Sequence, residues 1–472
     1  MKENKGRYSE LLKNTGILAI GNFTSKILIF LLVPLYTHFL STSEYGYYDL
    51  VYTTIQLLVP ILSLNVADGV LRFCIDDKRN TRPIHRISLK YIFASIFVVL
   101  FLLVIMAVAG SSYVKKEDIG ILIAYYASYI LNQYYNQMAK GVDRVKDIAI
   151  AGVIGTLATV SLCILFLPVL HFGLQGFFIA NILGQLVPAL FLFCRVTPVL
   201  KLMPNDRDPV LEKRYLAYTL PLIFSNIGWW INNTSDRYII TWMKGVDING
   251  LLSVAYKLPS ILTILYGVFI QAWQISAMKE YGKEDSSLFY RAVFTHMNYF
   301  LYILASGLLI LTPFLSGIMF ADEFAAAWEF VPFLTMSSVF TAVAGCIAPI
   351  LVSTFDTKSV AKSTIYGGLV NIVLNIVLTM LMGSQGVAVA TAVSTLVILL
   401  YRYYALPKPR AIDRKTMFRC GLMWLALSLQ AVAVLYKLYI VQLILILVVL
   451  LLNRDLLKLY ISKILKRGKK QA

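Results

Sequence analysis

Long apolar segments separated by short polar ones make up almost the whole chain. A helix that crosses a bilayer needs about 20 mostly apolar residues. The predicted spans lie at roughly 11–38, 45–71, 88–110, 118–139, 146–169, 174–196, 214–242, 249–274, 290–316, 325–353, 360–382, 385–405, 416–435 and 437–453. Of the 472 residues, 58% are hydrophobic and 14% are charged, and no soluble domain of this size hides so much apolar surface. The pattern predicts an all-α polytopic membrane protein with about fourteen transmembrane helices.

A polar stretch with two prolines follows the sixth span and divides the chain into halves. The predicted domains are an N-terminal six-helix lobe at 1–200, a cytoplasmic linker at 201–213, a C-terminal six-helix lobe at 214–405, two additional transmembrane helices at 406–453 and a basic cytoplasmic tail at 454–472.

The two halves repeat. A polar stripe at helical spacing includes Asp49, Thr53 and Gln56 in span 2, and its second copy in span 8 includes Ser253, Lys257 and Ser260 and continues to Gln271. Further along the two halves, four residues of the first correspond in order to four of the second: Asp143 to Asp356, Gly155 to Gly368, Gly173 to Gly383 and Gly176 to Gly386. Because six spans is an even number, both copies have the same orientation, and parallel six-span repeats are typical of transporters.

The net charge of +18 is distributed unevenly along the predicted topology. Of 43 lysines and arginines, 36 fall on one side of the membrane, four on the other and three within spans. This asymmetry follows the positive-inside rule and predicts that both termini are cytoplasmic. The charge therefore sets topology and suits contact with anionic lipid heads, and it does not indicate nucleic acid as a partner.

Three cations lie inside apolar segments: Lys26, Arg237 and Lys257, with Asp236 beside Arg237. A charge near the bilayer centre costs about 2.5–3.5 kcal/mol on insertion scales. Such residues persist when they face a wet cavity or a partner, so we predict a cationic lumen that moves something anionic. Lys26 shares a helix face with Asn22 and lies too far from either end of span 1 to snorkel comfortably. Lys257 is about two turns from the end of span 8, where partial snorkelling is an alternative.

Span 7 places Asn226, Asn233 and the pair Asp236 and Arg237 on one broad face. Neighbouring residues on a helix do not face each other, so we expect each charge to find a partner on another helix. Substrate binding and a structural interhelical salt bridge are equal alternatives for this pair.

Asp68 and Arg72 form an i,i+4 pair at the cytoplasmic end of span 2. A helix-end salt bridge is the commoner role of such a pair, and Arg72 is also a candidate contact for an anionic substrate at the inner mouth. Gln56 and Gln271 are candidate polar residues of the cavity. Asp236 and Asp68 are the candidates for proton or sodium coupling, and movement that simply follows the substrate gradient is the alternative.

Signals for an enzyme are weak. The four histidines form no ligand cluster, and the five cysteines are an odd number with no CxxC, so neither a metal site nor a disulfide framework is predicted. Asp206-Arg207-Asp208 superficially resembles the metal-binding motif of glycosyltransferases, but it lies in a short linker with no nucleotide-binding domain around it. We predict no catalytic residue and no cofactor.

Two sets of motifs match a known family. They are Asn14-Thr15, Gly21-Asn22, Ser25-Lys26, Pro34-Leu35-Tyr36-Thr37 and Glu44-Tyr45-Gly46-Tyr47-Tyr48-Asp49-Leu50 near the N-terminus, and Thr234-Ser235-Asp236-Arg237-Tyr238-Ile239-Ile240 in span 7. The first set resembles the opening signature of polysaccharide-biosynthesis flippases, the Wzx-type members of the multidrug/oligosaccharidyl-lipid/polysaccharide (MOP) exporter superfamily, and the second is similar to that family's span 7 motif.

The resemblance implies a V-shaped, MATE-like transporter with alternating access and a cationic central cavity for a polyprenyl-diphosphate-linked glycan. The family's cavity cations carry over by motif to Lys26 and Arg237, whereas Lys257 and Arg72 are candidates by position. The two C-terminal spans are similar to those of lipid II flippases. We therefore expect a multi-pass flippase of the bacterial plasma membrane, with membrane lipids and the glycan polymerase and glycosyltransferases of the same pathway as further partners.

Two other functions stay open at this point. A multidrug exporter of the same superfamily prefers cationic drugs and would want acidic cavity residues, which are outnumbered here by cations. A polytopic glycan polymerase or ligase generally needs a sizeable external loop, and the predicted outer loops are short.

Overall fold

The computed structural model describes residues 25–76, 81–110, 116–197, 208–407 and 412–454. Within these ranges every regular element is helical, and no strand occurs. Seven described helices are long and apolar enough to cross a membrane, or up to nine if each of two bent helix pairs is one span. The count is lower than the fourteen predicted spans but compatible with them, because Thr357–Ala405 contains two helices joined by a short turn and two shorter apolar helices, Ser25–Phe39 and Tyr439–Leu452, are not included in it. The all-α polytopic fold is confirmed, and the number fourteen stays a prediction.

The first compact unit comprises Met1–Asn233. Residues 25–31 are helical, and a turn at Leu32, just before Pro34, separates them from the next helix, as the proline predicts. The helices that follow are α1 Val33–Phe39, α2 Thr42–Leu62, α3 Val66–Asp76, α4 Thr81–Val108, α5 Ile119–Gly141, α6 Val145–Ile164 and α7 Gly173–Val196, with short helical turns at Lys116–Asp118 and Leu165–Val169.

The second compact unit comprises Thr234–Ala472. Helix α8, Pro209–Lys244, contains the boundary between the units. The remaining helices are α9 Val246–Ala255, α10 Lys257–Glu280, α11 Ser286–Met319, α12 Val331–Ser353, α13 Thr357–Met382, α14 Gly386–Ala405, α15 Arg414–Leu435 and α16 Tyr439–Leu452, with short turns at Asp322–Glu329 and Gly383–Gln385. Residues 198–207 and 455–472 lie outside the described residues, so the predicted linker, tail and lobe limits stay predictions.

Two spans are broken rather than continuous. Helices α2 and α3 meet at a bend of 58°, where Leu64 and Asn65 have φ angles of +54° and +55°. Helices α9 and α10 meet at 41° around Tyr256. Pro259 accounts for the second break, because a proline cannot donate to the carbonyl four residues earlier and its ring clashes with it. Polar side chains of the candidate site gather at both breaks.

The internal repeat is visible in the backbone of each unit. Gly173 and Gly383 both adopt positive φ angles, +53° and +69°, where the chain enters α7 and the turn that leads into α14, which supports the predicted equivalence of these turns. Elsewhere the correspondence lies one residue earlier than predicted. Asp143, with φ +61°, matches Phe355, with φ +63°, instead of Asp356.

A second pair of glycines supports the same shift. A Cβ on Gly155 of α6 would lie 2.8 Å from a carbonyl of α7, and one on Gly367 of α13 would lie 2.2 Å from Ile398 of α14. Both glycines therefore permit close packing of successive helices in their own unit. Gly367, the neighbour of the predicted Gly368, is the structural counterpart of Gly155.

Candidate functional site

The second unit holds a compact charged cluster at the break between α9 and α10. Asp236 on α8 is only 4% exposed, and its Oδ2 accepts a hydrogen bond from the Tyr256 hydroxyl. Arg237 Nη1 lies 3.5 Å from Asp236 Oδ1, and its guanidinium carbon lies 4.9 Å from the centroid of the Tyr256 ring. The phenol therefore contacts both charges, as a donor to the carboxylate and as a π-face for the guanidinium.

This arrangement corrects the expectation that Asp236 and Arg237 would not contact each other. Their Cα positions diverge around the helix, but both side chains turn toward the Tyr256 ring, and the arginine is long enough to reach the carboxylate from there. Arg237 and Asp236 therefore form an ion pair, which balances the negative charge of Asp236 locally. Arg237 nevertheless keeps a side chain that is 15% exposed.

Lys257 extends the same cluster. It is half-buried and follows Tyr256 directly as the first residue of α10. Its carbonyl accepts a hydrogen bond of 2.5 Å from the Ser260 hydroxyl. Arg237 contacts the Tyr256 ring and Lys257 follows Tyr256 in the chain, so both cations belong to the α9–α10 break. The polar stripe singled out Lys257 but predicted neither the helix break nor Tyr256 as the residue between the charges.

The first unit has its own polar cluster at the α2–α3 break. Asp68 is half-buried, and its carboxylate accepts hydrogen bonds of 3.2 Å from both Gln137 of α5 and Asn226 of α8. Asn226 also donates to Asn65 Oδ1 at 3.1 Å. Asp68 therefore joins three helices through neutral amides. Asn65 and Gln137 were not predicted, since only the tertiary packing brings them to Asp68.

The other candidate residues are more dispersed. Lys26 lies on an exposed face of the helical segment 25–31. Arg72 is exposed on α3, and Gln56 is half-buried on α2. Asn233 is exposed and donates a hydrogen bond of 2.7 Å to the Trp229 carbonyl. Asn22 and the side chain of Gln271 lie outside the described residues. The assembly of these residues into one cavity stays a prediction.

Features associated with enzymes or metals are few in the described part of the chain. No group of three His, Cys, Asp or Glu residues there is placed to hold a metal ion, and all five cysteines are free thiols. Asp208 of the Asp206-Arg207-Asp208 motif caps α8, because its Oδ1 accepts a hydrogen bond of 2.9 Å from the Leu211 amide. Asp206 and Arg207 themselves lie outside the described residues.

Long apolar helices, two of the spans broken and carrying charges at the breaks, define a polytopic membrane protein. The sequence family described as polysaccharide biosynthesis protein matches residues 11–274. The match covers more than half of the chain, so the chain belongs to this family. No curated protein sequence matches the chain.

Solved structures show the same fold. The lipid II flippase MurJ in an inward closed conformation aligns with a TM-score of 0.68 at 13% identity, covering 93% of this chain and 99% of that one. An inward-facing multidrug resistance MATE transporter of the MOP superfamily aligns at 0.62 and 14% identity, covering 85% and 95%. An outward-facing multidrug resistance MATE transporter of the MOP superfamily aligns with a TM-score of 0.54 at 14% identity, covering 87% of this chain and 96% of that one. The predicted resemblance to the polysaccharide biosynthesis family is confirmed, the chain shares the fold of these solved transporters, and it is a multi-pass membrane protein.

Proposed function

We propose that this protein is a flippase that moves a polyprenyl-diphosphate-linked oligosaccharide, the repeat unit of a surface polysaccharide, across the bacterial plasma membrane. Transport runs from the inner to the outer leaflet by alternating access, with both termini in the cytoplasm. Membership of the polysaccharide biosynthesis family supports this proposal. The observation that carries it is the position of two cations at the α9–α10 break, where Arg237 contacts the Tyr256 ring and Lys257 follows Tyr256 in the chain.

The chemistry of the head group fits these cations. A diphosphate carries about two negative charges, and in a low-dielectric site a few cations within reach stabilise it far more than they would in water. Arg237 offers planar, bidentate donors to a phosphate. Lys26 and Arg72 supply further positive charge along the path, and Asn22, Asn233, Gln56 and Gln271 supply hydrogen bonds to sugars. The polyprenyl tail is apolar and stays in the lipid.

Energy coupling is assigned to one of the two buried or half-buried carboxylates. Asp236 and Asp68 both lie at helix breaks and both accept hydrogen bonds from neutral groups. A proton or a sodium ion taken up at either carboxylate would change the local charge and favour one state of the transporter. The protein itself performs no covalent chemistry in this proposal, and the glycan polymerase and glycosyltransferases of the pathway act before and after it.

The test is the leaflet location of the lipid-linked glycan in cells depleted of the protein. We expect complete repeat units to accumulate on the cytoplasmic face, and wild-type protein to restore their outward delivery. Lys26→Gln and Arg237→Gln should fail to restore it while reaching the membrane in normal amount. Lys244→Gln is the matched control, because Lys244 is an exposed cation on the same helix as Arg237. Full delivery by both test variants would refute the cationic path.

A multidrug exporter is the second candidate, and the likeness to MATE transporters is the observation that favours it. This function predicts that depletion raises the cellular accumulation of a cationic dye such as ethidium, with glycan delivery unchanged. The opposite pattern supports the flippase.

A further inference from the structure

Helix α5 carries a polar stripe that the proposed transport path does not use. The helix has 23 residues, enough to cross a membrane, yet it is not among the seven described helices that are apolar enough to do so. The helices before and after it, α4 and α6, both belong to candidate spans. Polar side chains recur along α5 at spacings of three and four residues, which places them largely on one face. They include Tyr129, Asn132, Asn136 and Lys140.

Two asparagines of this stripe form a hydrogen-bonded chain with α7. Asn136 Nδ2 donates to Asn132 Oδ1 at 2.8 Å, and Asn132 Nδ2 donates in turn to Gln185 Oε1 of α7. Each amide therefore donates to the oxygen of the next. Among the described residues, neither Gln185 Nε2 nor Asn136 Oδ1 has a partner. The chain thus ends in a free donor on α7 and a free acceptor on α5.

Asn181 adds a fourth amide on the same face of α7. It follows Phe178 by three residues and precedes Gln185 by four, so it shares a helix face with both. The Phe178 ring packs edge-on against Tyr125 of α5, with 5.9 Å between centroids, and Gln185 bonds to α5, so this face meets α5. Asn181 Nδ2 donates to the Phe177 carbonyl of its own helix at 2.8 Å. Its Oδ1 accepts no hydrogen bond from a described residue.

The four amides lie near the middle of their helices. At 1.5 Å per residue, Asn132 is about 20 Å from the first residue of α5 and about 14 Å from the last. Asn132, Asn136, Asn181 and Gln185 are each half-buried, so part of every amide remains at the surface of the first unit. An amide without a hydrogen-bond partner is costly in hydrocarbon. The free atoms therefore have to meet water or a polar ligand instead of lipid tails.

The free atoms also select the kind of ligand. They comprise one donor, Gln185 Nε2, and two acceptors, Asn136 Oδ1 and Asn181 Oδ1, on neutral side chains. A phosphate offers acceptors alone, an ammonium group offers donors alone and a polyprenyl tail offers neither. A hydroxyl both donates and accepts. A neutral site built to hydrogen-bond hydroxyls also discriminates strongly against ligands that lack them, because its own polar groups are then left unpaired.

We propose that Asn136, Asn181 and Gln185 bind hydroxyl groups of the transported glycan and so contribute to the choice of sugar. Asn132 is a positioning residue, because it contacts both Asn136 and Gln185 and fixes the orientation of their amides. This inference rests on the proposed flippase function. It concerns the sugars alone and leaves the diphosphate to the cations.

The test compares two lipids in binding to the purified full chain in detergent, measured by microscale thermophoresis. One lipid is undecaprenyl diphosphate, and the other is the lipid-linked glycan extracted from the source cells. We expect wild-type protein to bind the glycan-bearing lipid more tightly. Asn181→Leu should weaken this binding about fivefold, as expected for one neutral hydrogen bond, and leave the affinity for undecaprenyl diphosphate unchanged. Gln175→Leu is the matched control, because Gln175 is an exposed amide at the start of the same helix.

Asn181→Leu should fold normally, because the Asn181 amide donates only within its own helix. Asn136→Leu is a second variant with the same expected pattern, whereas Arg237→Gln should weaken the binding of both lipids. Wild-type affinity for the glycan-bearing lipid in both amide variants would overturn the inference and leave the flippase function intact. Equal weakening for the two lipids would also overturn it, since the lost contact would then be to the diphosphate or the tail. If wild-type protein binds neither lipid, the flippase function fails and this inference fails with it.

Discussion

Removing the hydroxyl of Tyr256 tests whether the cluster around Asp236 is held together as described. In Tyr256→Phe the carboxylate loses its donor, while the aromatic face that contacts Arg237 stays in place. Asp236 is 4% exposed, so water does not readily replace the lost hydrogen bond. A hydrogen bond to a buried charged group contributes about 1.5–3 kcal/mol, and this is the loss of stability we expect.

Thermal unfolding in detergent measures this loss, and a double-mutant cycle assigns it. Tyr256→Phe and Asp236→Asn should each destabilise the protein, and the double variant should lose less than the sum of the two. Tyr366→Phe is the matched control, because Tyr366 is a half-exposed tyrosine of the same unit, whose hydroxyl we expect to contribute little. If Tyr256→Phe unfolds at the wild-type temperature, or if the two substitutions are additive, the carboxylate does not depend on this phenol.

Two further predictions concern a turn and a helix cap. Gly386→Ala should destabilise the protein by about 1–3 kcal/mol in thermal unfolding, because a Cβ there would lie 2.1 Å from the Leu378 carbonyl oxygen. Gly421→Ala, where no atom lies within 4 Å of a Cβ, should instead be neutral or stabilising by up to about 1 kcal/mol. Asp413 caps α15, and hydrogen bonds from Thr416 lower its pKa. Its folded pKa is therefore below its unfolded value of about 3.9, so the stability difference between wild type and Asp413→Ala should be constant above about pH 5 and shrink as pH falls below 4.

The sequence predicts the features of this fold that local chemistry decides. The apolar segments, the break before Pro34 and the equivalent turns at Gly173 and Gly383 follow from hydropathy, proline geometry and glycine's tolerance of positive φ. The predicted register of the repeat paired Asp143 with Asp356 and was wrong by one residue, since the backbone pairs Asp143 with Phe355. Two apolar helices align almost equally well at neighbouring registers, so the sequence alone did not distinguish them. Only the backbone conformation distinguished them.

The contacts of the candidate site depend on side-chain reach and tertiary packing, which a helical pattern does not contain. Helical spacing alone separates Asp236 from Arg237, yet a long arginine and a shared partner, Tyr256, bring them together. In the same way, Gln137 is distant from Asp68 in sequence and meets it only through packing of α5 against α3. Sequence patterns singled out the charged residues and missed the neutral residues, Tyr256 and Gln137, that contact them.

The break between α2 and α3 has a consequence for local opening of the backbone. The Leu64 and Val66 amides there make hydrogen bonds of 3.3 and 3.4 Å, longer than the usual 2.9–3.0 Å or so of a helix. Amides with such weak hydrogen bonds open locally at a low free-energy cost. In hydrogen exchange, this point should open and exchange its amide protons well before the uninterrupted turns of α2 do. The α2–α3 break is therefore the point of this span where the backbone hydrogen bonds open most readily. It lies two residues before Asp68.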